Sequence, residues 1–475
     1  MASLIRFGTD GWRARIAEDY TFGNVRICAQ AVANFLKNKG AGAGPLVVGY
    51  DTRFASELFA AATAEVAAGN GIKTILCDRP APTPTVSWTV ITQKAAGGVV
   101  ITASHNPWQW NGFKYKPEYG GSASPEVVDK LHEQIDLIEE RGKAAERMDL
   151  EEAKDKGLVQ VIDPLPAYFD QVRRLINVDD IRSAGLKVVA DVMYGTGTGL
   201  FEHLIGGGKT KVEEIHNARN PLFPGIRPEP IMPNLAELCT VVVERKADIG
   251  VATDGDADRV GIVDEKGVFV TQLQVFGLLI LYLLEVKGWR GAIVKSLSTT
   301  TMADRLGELY GVPVFETGVG FKYVGPLMMQ HNAIIGGEES GGFGFRDHIP
   351  ERDGVVASLC ITDMCLKLQR KPSELVDYLY SKVGPHYYDR LDVEFHPDQR
   401  QKVIARIKEH PPKEIEGVDV AKVNTADGFK YLLQDGSWLL IRFSGTEPLI
   451  RIYAETSSPE RVQRYLARGR GLAGL

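Results

Sequence analysis

One stretch of the chain indicates both a fold class and a chemistry: Gly97-Gly98-Val99-Val100-Ile101-Thr102-Ala103-Ser104-His105-Asn106-Pro107. Its β-branched apolar half predicts a buried strand, and its polar half predicts a loop at the carboxyl end of that strand. Asn106-Pro107 prevents an immediate helix, because the residue before a proline is pushed towards extended backbone. In open α/β sheets, ligands collect beyond the carboxyl ends of the strands. A hydroxyl beside an imidazole there, Ser104 and His105, is placed for chemistry, although a solvated turn is the alternative.

The same pattern recurs twice further along the chain. An apolar strand at 248–253 runs into Asp254-Gly255-Asp256-Ala257-Asp258-Arg259, and a strand at 333–335 runs into a glycine-rich polar loop at 336–342. Helical patterns separate the strands in all three blocks. Strands that alternate with helices are typical of parallel or mixed sheets covered by helices on both faces. The sequence therefore predicts three repeated α/β units.

Two local predictions concern the first unit. Pro80-Ala81-Pro82-Thr83-Pro84-Thr85 is too rich in proline for a helix or a central strand. The strand that leads to Ser104 is expected to close the series of strands in this unit.

The last part of the chain has a different order of elements. From about residue 388 it reads strand, helix, several short strands with turns at Asp427-Gly428 and Asp435-Gly436, and a closing helix. This order predicts a smaller α+β module. Because single cores stop growing near roughly 250 to 300 residues, a chain of 475 residues needs several domains. We predict four, at 1–160, 161–270, 271–385 and 386–475.

Composition argues against several classes of protein. The net charge is −6, and the lysines and arginines are dispersed, so the basic footprint of a nucleic-acid binder is missing. The longest apolar stretch, Val275–Leu284, falls short of the roughly 20 residues that span a bilayer, which predicts a core helix. Five cysteines without a CxxC pair suit reduced thiols, and Met1–Arg6 lacks the apolar core of a signal peptide. We expect a cytoplasmic protein without nucleic-acid or membrane partners.

The loop at 254–259 is a candidate metal site. Asp254, Asp256 and Asp258 form a cluster of hard oxygen ligands, which suits Mg²⁺ or Ca²⁺. An EF-hand is excluded, because Arg259 stands where that motif needs glycine and the following residues read as strand, turn and strand. Three close carboxylates repel one another unless a cation neutralises them, although a solvated acidic turn is the alternative. Mg²⁺ is favoured if these oxygens are the only protein ligands and a phosphate completes the shell.

The loop at 442–448 and the strand after it carry the donors that capture a phosphate: two guanidinium groups, two hydroxyls and a glycine amide. These groups belong to Arg442, Ser444, Gly445, Thr446 and Arg451. A hairpin turn with surface arginines is the alternative.

Two better-known phosphate motifs are excluded. Gly207-Gly208-Lys209-Thr210 ends like a P-loop, but His203 stands where the first glycine of that motif is required. Gly195-Thr196-Gly197-Thr198-Gly199 lacks the third glycine of the dinucleotide fingerprint, because position 200 is leucine.

Taken together, five motifs resemble those of the α-D-phosphohexomutase superfamily, in order and over residues 7 to about 453. They are FGTDGWR at 7–13, TASHNP at 102–107, DGDADR at 254–259, GEESG at 337–341 and RFSGTEP at 442–448. The resemblance implies four domains around a central cleft, the first three sharing one α/β topology and the last forming a smaller α+β lid. That architecture agrees with the three repeated units and the distinct C-terminal module.

The resemblance also implies a role for individual residues. Ser104 would be the phosphorylated serine, and it would bind Mg²⁺ together with Asp254, Asp256 and Asp258. The other catalytic groups would be His105, Lys114, Arg13 and Arg259. Substrate would be held by Thr317, Gly318, Lys322, Glu338 and Ser340. The phosphate that does not react would be held by Arg442, Ser444, Gly445, Thr446 and Arg451.

The implied activity is transfer of a phosphoryl group between O1 and O6 of a hexose phosphate, through a hexose 1,6-bisphosphate. Glucose is the expected hexose, because Gly337–Gly341 and Asp347–Gly354 are similar to phosphoglucomutases. A phosphomannomutase or dual enzyme is the next interpretation. A phosphoglucosamine mutase usually has glutamine where this chain has Glu339. A metal-dependent phosphatase and a non-catalytic sugar-phosphate binder are the alternatives from other classes. The only expected partner is the sugar phosphate, bound by a monomer or homodimer.

Overall fold

The computed structural model describes residues 5–8, 10–38, 40, 44–142, 144–395, 397–443 and 449–475. Strands in these residues form four sheets. The first three belong to α/β units with mixed sheets and the fourth to a smaller C-terminal unit, which confirms the predicted fold class.

The first unit has a six-stranded sheet in the order β1-β5-β4-β2-β3-β6, covered by helices. Its elements are β1 (Trp12–Arg15), α1 (Phe22–Asn38), β2 (Leu46–Tyr50), α2 (Ser56–Gly69), β3 (Thr74–Cys77), α3 (Thr83–Thr92), β4 (Gly97–Ile101), β5 (Trp110–Pro117), α4 (Pro125–Arg141), α5 (Leu150–Asp155) and β6 (Val159–Ile162). Because β6 pairs with β3, the domain boundary placed after residue 160 falls inside a strand.

The second unit has a five-stranded sheet in the order β11-β10-β9-β7-β8. Its elements are α6 (Leu165–Leu175), α7 (Val178–Ser183), β7 (Lys187–Asp191), α8 (Leu200–Ile205), β8 (Lys211–Ile215), α9 (Ala236–Arg245), β9 (Ile249–Thr253), β10 (Val260–Val263) and β11 (Phe269–Val270).

The third unit has a four-stranded sheet in the order β13-β12-β14-β15. Its elements are α10 (Gln272–Leu281), a π-helical turn (Tyr282–Val286), β12 (Ile293–Ser296), α11 (Met302–Tyr310), β13 (Val314–Thr317), α12 (Phe321–His331), β14 (Ile335–Gly337), β15 (Phe343–Phe345), α13 (Gly354–Leu368) and α14 (Pro372–Val383).

The C-terminal unit has a six-stranded antiparallel sheet in the order β16-β21-β20-β19-β18-β17. Its elements are β16 (Tyr387–Glu394), a 3₁₀ turn (Pro397–Gln399), α15 (Arg400–Glu409), β17 (Glu414–Ile415), β18 (Val418–Asn424), β19 (Phe429–Leu433), β20 (Trp438–Phe443), β21 (Leu449–Thr456) and α16 (Pro459–Ala473).

One arrangement is shared by the first three units. In each, a strand runs parallel to a neighbour on one side, passes through a polar loop, and returns as an antiparallel strand on its other side. The pairs are β4 with β5, β9 with β10, and β14 with β15. All three polar loops found in the sequence therefore lie at equivalent positions of repeated sheets.

Two local predictions for the first unit are wrong. Residues 83–85 begin helix α3, where Pro84 is tolerated because a first-turn N–H needs no partner inside the helix. The strand that leads to Ser104 does not close the sheet, since β5 returns beside it and β6 extends the other edge.

The apolar cores follow the units, with two exceptions, one of which is a small cluster that joins Leu297 of the third unit to Trp438, Leu440 and Tyr453 of the last. The first and last units each have a core of their own. The second and third share one core, in which Ile262 of β10 and Val355 of α13 are both buried. Within the described residues, no helix combines the length and apolar character needed to cross a membrane.

Candidate active site

The Ser104 side chain points out of its own loop and into the second unit. Its backbone adopts a left-handed conformation with φ 52°, which is uncommon for a residue other than glycine and is often found at functional sites. The Oγ donates a hydrogen bond to Asp254 Oδ2 at 2.7 Å and lies 3.2 Å from His105 Nδ1. Two loops separated by 150 positions thus meet at one hydroxyl.

A buried arginine holds the Ser104 loop in place. The Arg53 guanidinium donates to four backbone carbonyls, those of Ser104 (2.6 Å), Asn106 (2.6 Å), Pro107 (2.9 Å) and Trp110 (3.1 Å). Its Nε lies 3.1 Å from Asp51 Oδ2, and its side chain is fully buried. Arg53 therefore fixes the loop's main chain rather than facing a ligand.

The 254–259 loop and the Ser104 loop approach backbone to backbone. A Cβ at Gly255 would lie only 2.6 Å from the Ser104 carbonyl oxygen, so only glycine permits this distance.

The three aspartates of the 254–259 loop form a compact buried cluster. One oxygen from each of Asp254, Asp256 and Asp258 lies within 4.8 Å of the others, and all three side chains are fully buried. Burial and the neighbouring carboxylates raise the pKa of Asp254 well above its usual range. Asp256 Oδ1 and Asp258 Oδ1 have no hydrogen-bond partner among the described residues. Buried oxygens of this kind suit a divalent cation, so these residues fit a metal ion.

Two cations from other elements face the same carboxylates. Lys114 Nζ, on β5, lies 2.8 Å from Asp10 Oδ2, 2.9 Å from Asp256 Oδ2 and 3.4 Å from Asp258 Oδ2. Burial lowers the pKa of Lys114, but these carboxylates outweigh it and the net pKa is raised, so the amine is held as an ammonium. Arg352 Nη2 lies 2.6 Å from Asp10 Oδ2 and 2.9 Å from Asp258 Oδ2. These ion pairs join the first three units at one point.

His105, Arg13 and Arg259 lie near Ser104. Arg13 Nη1 donates to Asn106 Oδ1 at 2.7 Å, and Arg259 Nη1 donates to Glu229 Oε1 at 3.3 Å. Burial lowers the pKa of His105 well below its usual range, and Arg259 and Arg13 lower it further. The imidazole beside Ser104 is therefore neutral.

The third loop brings Glu338 to the same network. Its Oε2 lies 3.9 Å from Arg352 Nη1, and its side chain is buried. Burial raises the pKa of Glu338 to about 7, although Arg352 opposes this. Ser340 follows in the same turn and is partly exposed. Glu339 instead contacts the C-terminal unit, accepting from Arg390 Nη1 at 3.3 Å.

Among the other predicted residues, Lys322 and Arg442 lie where the third and fourth units meet. Asp427 Oδ2 accepts from Val319 N at 3.1 Å and from Arg442 Nε at 2.9 Å, which links the 318–320 loop to β20. Lys322 lies near Asp427 and Arg442. Burial lowers the pKa of Lys322, the Asp427 carboxylate opposes this, and the Arg442 guanidinium lowers the pKa further. Arg451 of β21 lies directly opposite Arg442 of β20 in the antiparallel register of these two strands. Thr317 ends β13 and Gly318 follows it. Ser444, Gly445 and Thr446 lie outside the described residues.

Sequence reasoning missed four residues that shape this site. They are Asp10, Arg53, Thr83 and Arg352. Asp10 and Arg352 lie inside stretches that the motifs included, FGTDGWR and 347–354, so their position was a usable signal. Arg53 comes shortly after the carboxyl end of β2, as Ser104 comes after the carboxyl end of β4. That position was a signal that Arg53 could belong to the site. Thr83 gave no such signal, because its hydroxyl contacts Asp256, which lies 173 positions away in the sequence.

Comparison with known proteins gives a consistent result over nearly the whole chain. Four family models match in order: phosphoglucomutase/phosphomannomutase alpha/beta/alpha domain I at 4–142, domain II at 166–267, domain III at 272–383, and the C-terminal domain at 402–470.

Relatives with similar sequences carry more than one name. The chain is 32% identical to the "Phosphoglucomutase/phosphomannomutase" of Thermococcus kodakarensis, covering 98% of this chain and 97% of that protein. It is 31% identical to the "Probable phosphoglucosamine mutase" of Methanothermobacter thermautotrophicus, with the same coverage. A crystal structure of a "putative phosphomannomutase" from Thermus thermophilus has a TM-score of 0.86 and 35% identity, covering all of both chains.

Replacing Arg53 with lysine tests the loop anchor. Lysine keeps the charge but cannot reach four carbonyls at once, so several buried carbonyls lose their partner. We expect Arg53→Lys to lower the free energy of unfolding by about 2–4 kcal/mol, measured by urea denaturation. Arg79→Lys is the matched control, because the Arg79 side chain is 48% exposed and its ion pairs lie at the surface. Equal losses of unfolding free energy in the two variants would contradict the role of Arg53 in holding the loop.

The raised pKa of Glu338 gives the protein a pH-dependent stability. The carboxyl titrates near 4.5 when unfolded and near 7 when folded, so the folded state holds its proton more tightly. Its stabilising contribution is present below about pH 4.5 and is lost as the pH rises through about 7. Glu338→Gln cannot ionise, so its urea midpoint should fall less than that of the wild type between about pH 5 and about pH 8. Parallel falls would show that Glu338 titrates at an ordinary pKa.

Proposed function

The chain belongs to the phosphoglucomutase/phosphomannomutase family of the α-D-phosphohexomutase superfamily. From this premise we propose that it transfers a phosphoryl group between O1 and O6 of a hexose phosphate, with glucose phosphate as the preferred substrate. The observation that carries the proposal is the 2.7 Å hydrogen bond from the Ser104 hydroxyl to Asp254, in a buried cluster of three carboxylates. The cytoplasmic location and the monomeric or homodimeric state stay predictions from sequence.

In this proposal Ser104 carries the phosphoryl group. The bond from phosphorus to Ser104 Oγ breaks as a bond forms from phosphorus to the free O6 of a hexose 1-phosphate. The O6 proton goes to a nearby base, and Ser104 Oγ takes up a proton. The resulting 1,6-bisphosphate then returns its other phosphoryl group to Ser104. Its two ends must therefore occupy the reaction centre in turn.

The chain's charged groups support this transfer. Mg²⁺ held by Asp254, Asp256 and Asp258 would supply positive charge against the phosphoryl oxygens. Arg13 and Arg259 add fixed cations beside Ser104, and phosphoryl transfer depends mainly on alignment and charge stabilisation. We assign proton transfer to His105, a neutral imidazole 3.2 Å from the Ser104 hydroxyl that can accept a proton, and to Lys114, an ammonium that can only donate one.

We assign the sugar and the distant phosphate to the third and fourth units. Glu338 and Ser340 would accept and donate to sugar hydroxyls, with Thr317, Gly318 and Lys322 beside them. Arg442, Ser444, Gly445, Thr446 and Arg451 would bind the phosphate that does not react. Asp427 supports this assignment, because it hydrogen-bonds to both Val319, in the 318–320 loop, and Arg442.

A phosphomannomutase or dual enzyme is the second candidate, favoured by the 35% identity to a structure with the name phosphomannomutase. Phosphoglucosamine mutase is the third, favoured by the 31% identity to a relative of that name. Glu339 argues against a phosphoglucosamine mutase, because those enzymes usually have glutamine at this position. Relative kcat/KM on glucose, mannose and glucosamine 1-phosphates, with the matching bisphosphate as activator, separates the sugars. Glucose should be preferred, and a higher value for either other sugar would overturn the choice of glucose alone.

Replacing the serine tests the activity itself. Ser104→Ala removes the group that accepts the phosphoryl, so turnover of glucose 1-phosphate to glucose 6-phosphate should fall by at least about a thousandfold. Ser358→Ala is the matched control: this buried serine donates only to Gly354 O of its own helix, at 2.8 Å, and its loss should leave turnover nearly unchanged. Substantial residual activity in Ser104→Ala contradicts the proposal. Release of free phosphate faster than interconversion by the wild type indicates a phosphatase instead.

A further inference from the structure

The hydroxyl of Thr83 leaves its own helix and reaches the acidic cluster of the second unit. The N-cap residue of α3 is Pro82, so Thr83 is the first helical residue and its hydroxyl does not cap the helix. The Thr83 Oγ1 instead donates to Asp256 Oδ2 at 2.6 Å. Its backbone N–H also donates to the Asp256 carbonyl oxygen, at 2.9 Å. Both donors of one buried residue therefore bind Asp256, across a domain boundary.

These contacts hold the Asp256 carboxylate by one oxygen. Oδ2 accepts from Thr83 Oγ1 and from Lys114 Nζ, whereas Oδ1 has no hydrogen-bond partner in the part of the chain that the structure describes. Two donors, one from a helix and one from a strand, restrict rotation of the carboxylate. The orientation that satisfies both leaves Oδ1 available to a ligand of its own.

The two donors differ in charge. The Lys114 ammonium neutralises the carboxylate but repels any cation that approaches it. The Thr83 hydroxyl orients the same carboxylate without adding a charge beside the metal site. Groups that hydrogen-bond to a ligating carboxylate fix its geometry and tune metal affinity.

From this geometry we infer that Thr83 is a positioning residue of the metal site, which fixes Asp256 so that Oδ1 faces the cation. The inference rests on the metal role of the three aspartates in the proposed function. It also gives α3 a part in the reaction centre, by coupling the first unit directly to the metal loop of the second.

Thr83→Val keeps the shape of the side chain and removes the donor. We expect it to raise the dissociation constant for Mg²⁺ by about tenfold or more, measured by calorimetric titration of MgCl₂ into the full chain. Thr83→Ser keeps the hydroxyl and should stay within about threefold of the wild type. The half-activating Mg²⁺ concentration should rise in the valine variant while kcat at saturating Mg²⁺ changes little, a split that a general loss of stability would not produce.

Thr89→Val is the matched control. Thr89 is a buried threonine on the same helix, and its Oγ1 donates only to Thr85 O, at 2.9 Å. Its substitution should leave Mg²⁺ affinity unchanged. If Thr83→Val does not fold by circular dichroism, comparison of Thr83→Ala with Thr83→Ser tests the same hydroxyl.

The possible results separate this inference from the proposed function. Wild-type Mg²⁺ affinity in Thr83→Val overturns the inference, and so does a loss in Thr83→Ser as large as that in the valine variant. Asp256→Asn tests the premise: if it binds Mg²⁺ as tightly as the wild type, the aspartates are not the metal site and the proposed function fails at that point.

Discussion

The hydrogen bond between Ser104 and Asp254 is the contact on which the rest of the site depends. It requires two strand-end loops from different units to meet backbone to backbone, and Gly255 permits this because it has no Cβ. The two loops follow β4 and β9, which occupy equivalent positions in two sheets of similar topology. A repeated supersecondary unit therefore delivers the reacting groups, and one glycine sets their distance.

Burying so many carboxylates in one place demands compensation. Isolated carboxylates in such surroundings would be protonated or would destabilise the fold. Here Lys114 and Arg352 face Asp256, Asp258 and Asp10, and they come from the first and third units. The same ion pairs that make the cluster tolerable also hold the units together. The same ion pairs therefore stabilise the interface between the units and compensate the negative charge at the site.

The sequence carried the local half of this arrangement. Apolar strands that stop at polar loops follow from periodicity of neighbouring residues, so Ser104 and the aspartates could be identified before any fold was known. Contacts between distant residues could not. Arg352 contacts Asp10, 342 positions away in the sequence, and Thr83 contacts Asp256, 173 positions away. Patterns within a single sequence do not predict contacts at such separations. The proline-rich start of α3 was misread because first-turn prolines do not disturb a helix.

The central claim is that Ser104 and the three aspartates share one cation. The most direct measurement is anomalous diffraction from crystals soaked in Mn²⁺, which substitutes for Mg²⁺ at oxygen ligands and can be located unambiguously. We predict one peak within about 2.5 Å of an oxygen from each of Asp254, Asp256 and Asp258 and of Ser104 Oγ or its phosphoryl oxygen. A peak held by the aspartates with Ser104 more than about 8 Å away, or no peak at the cluster, would contradict it.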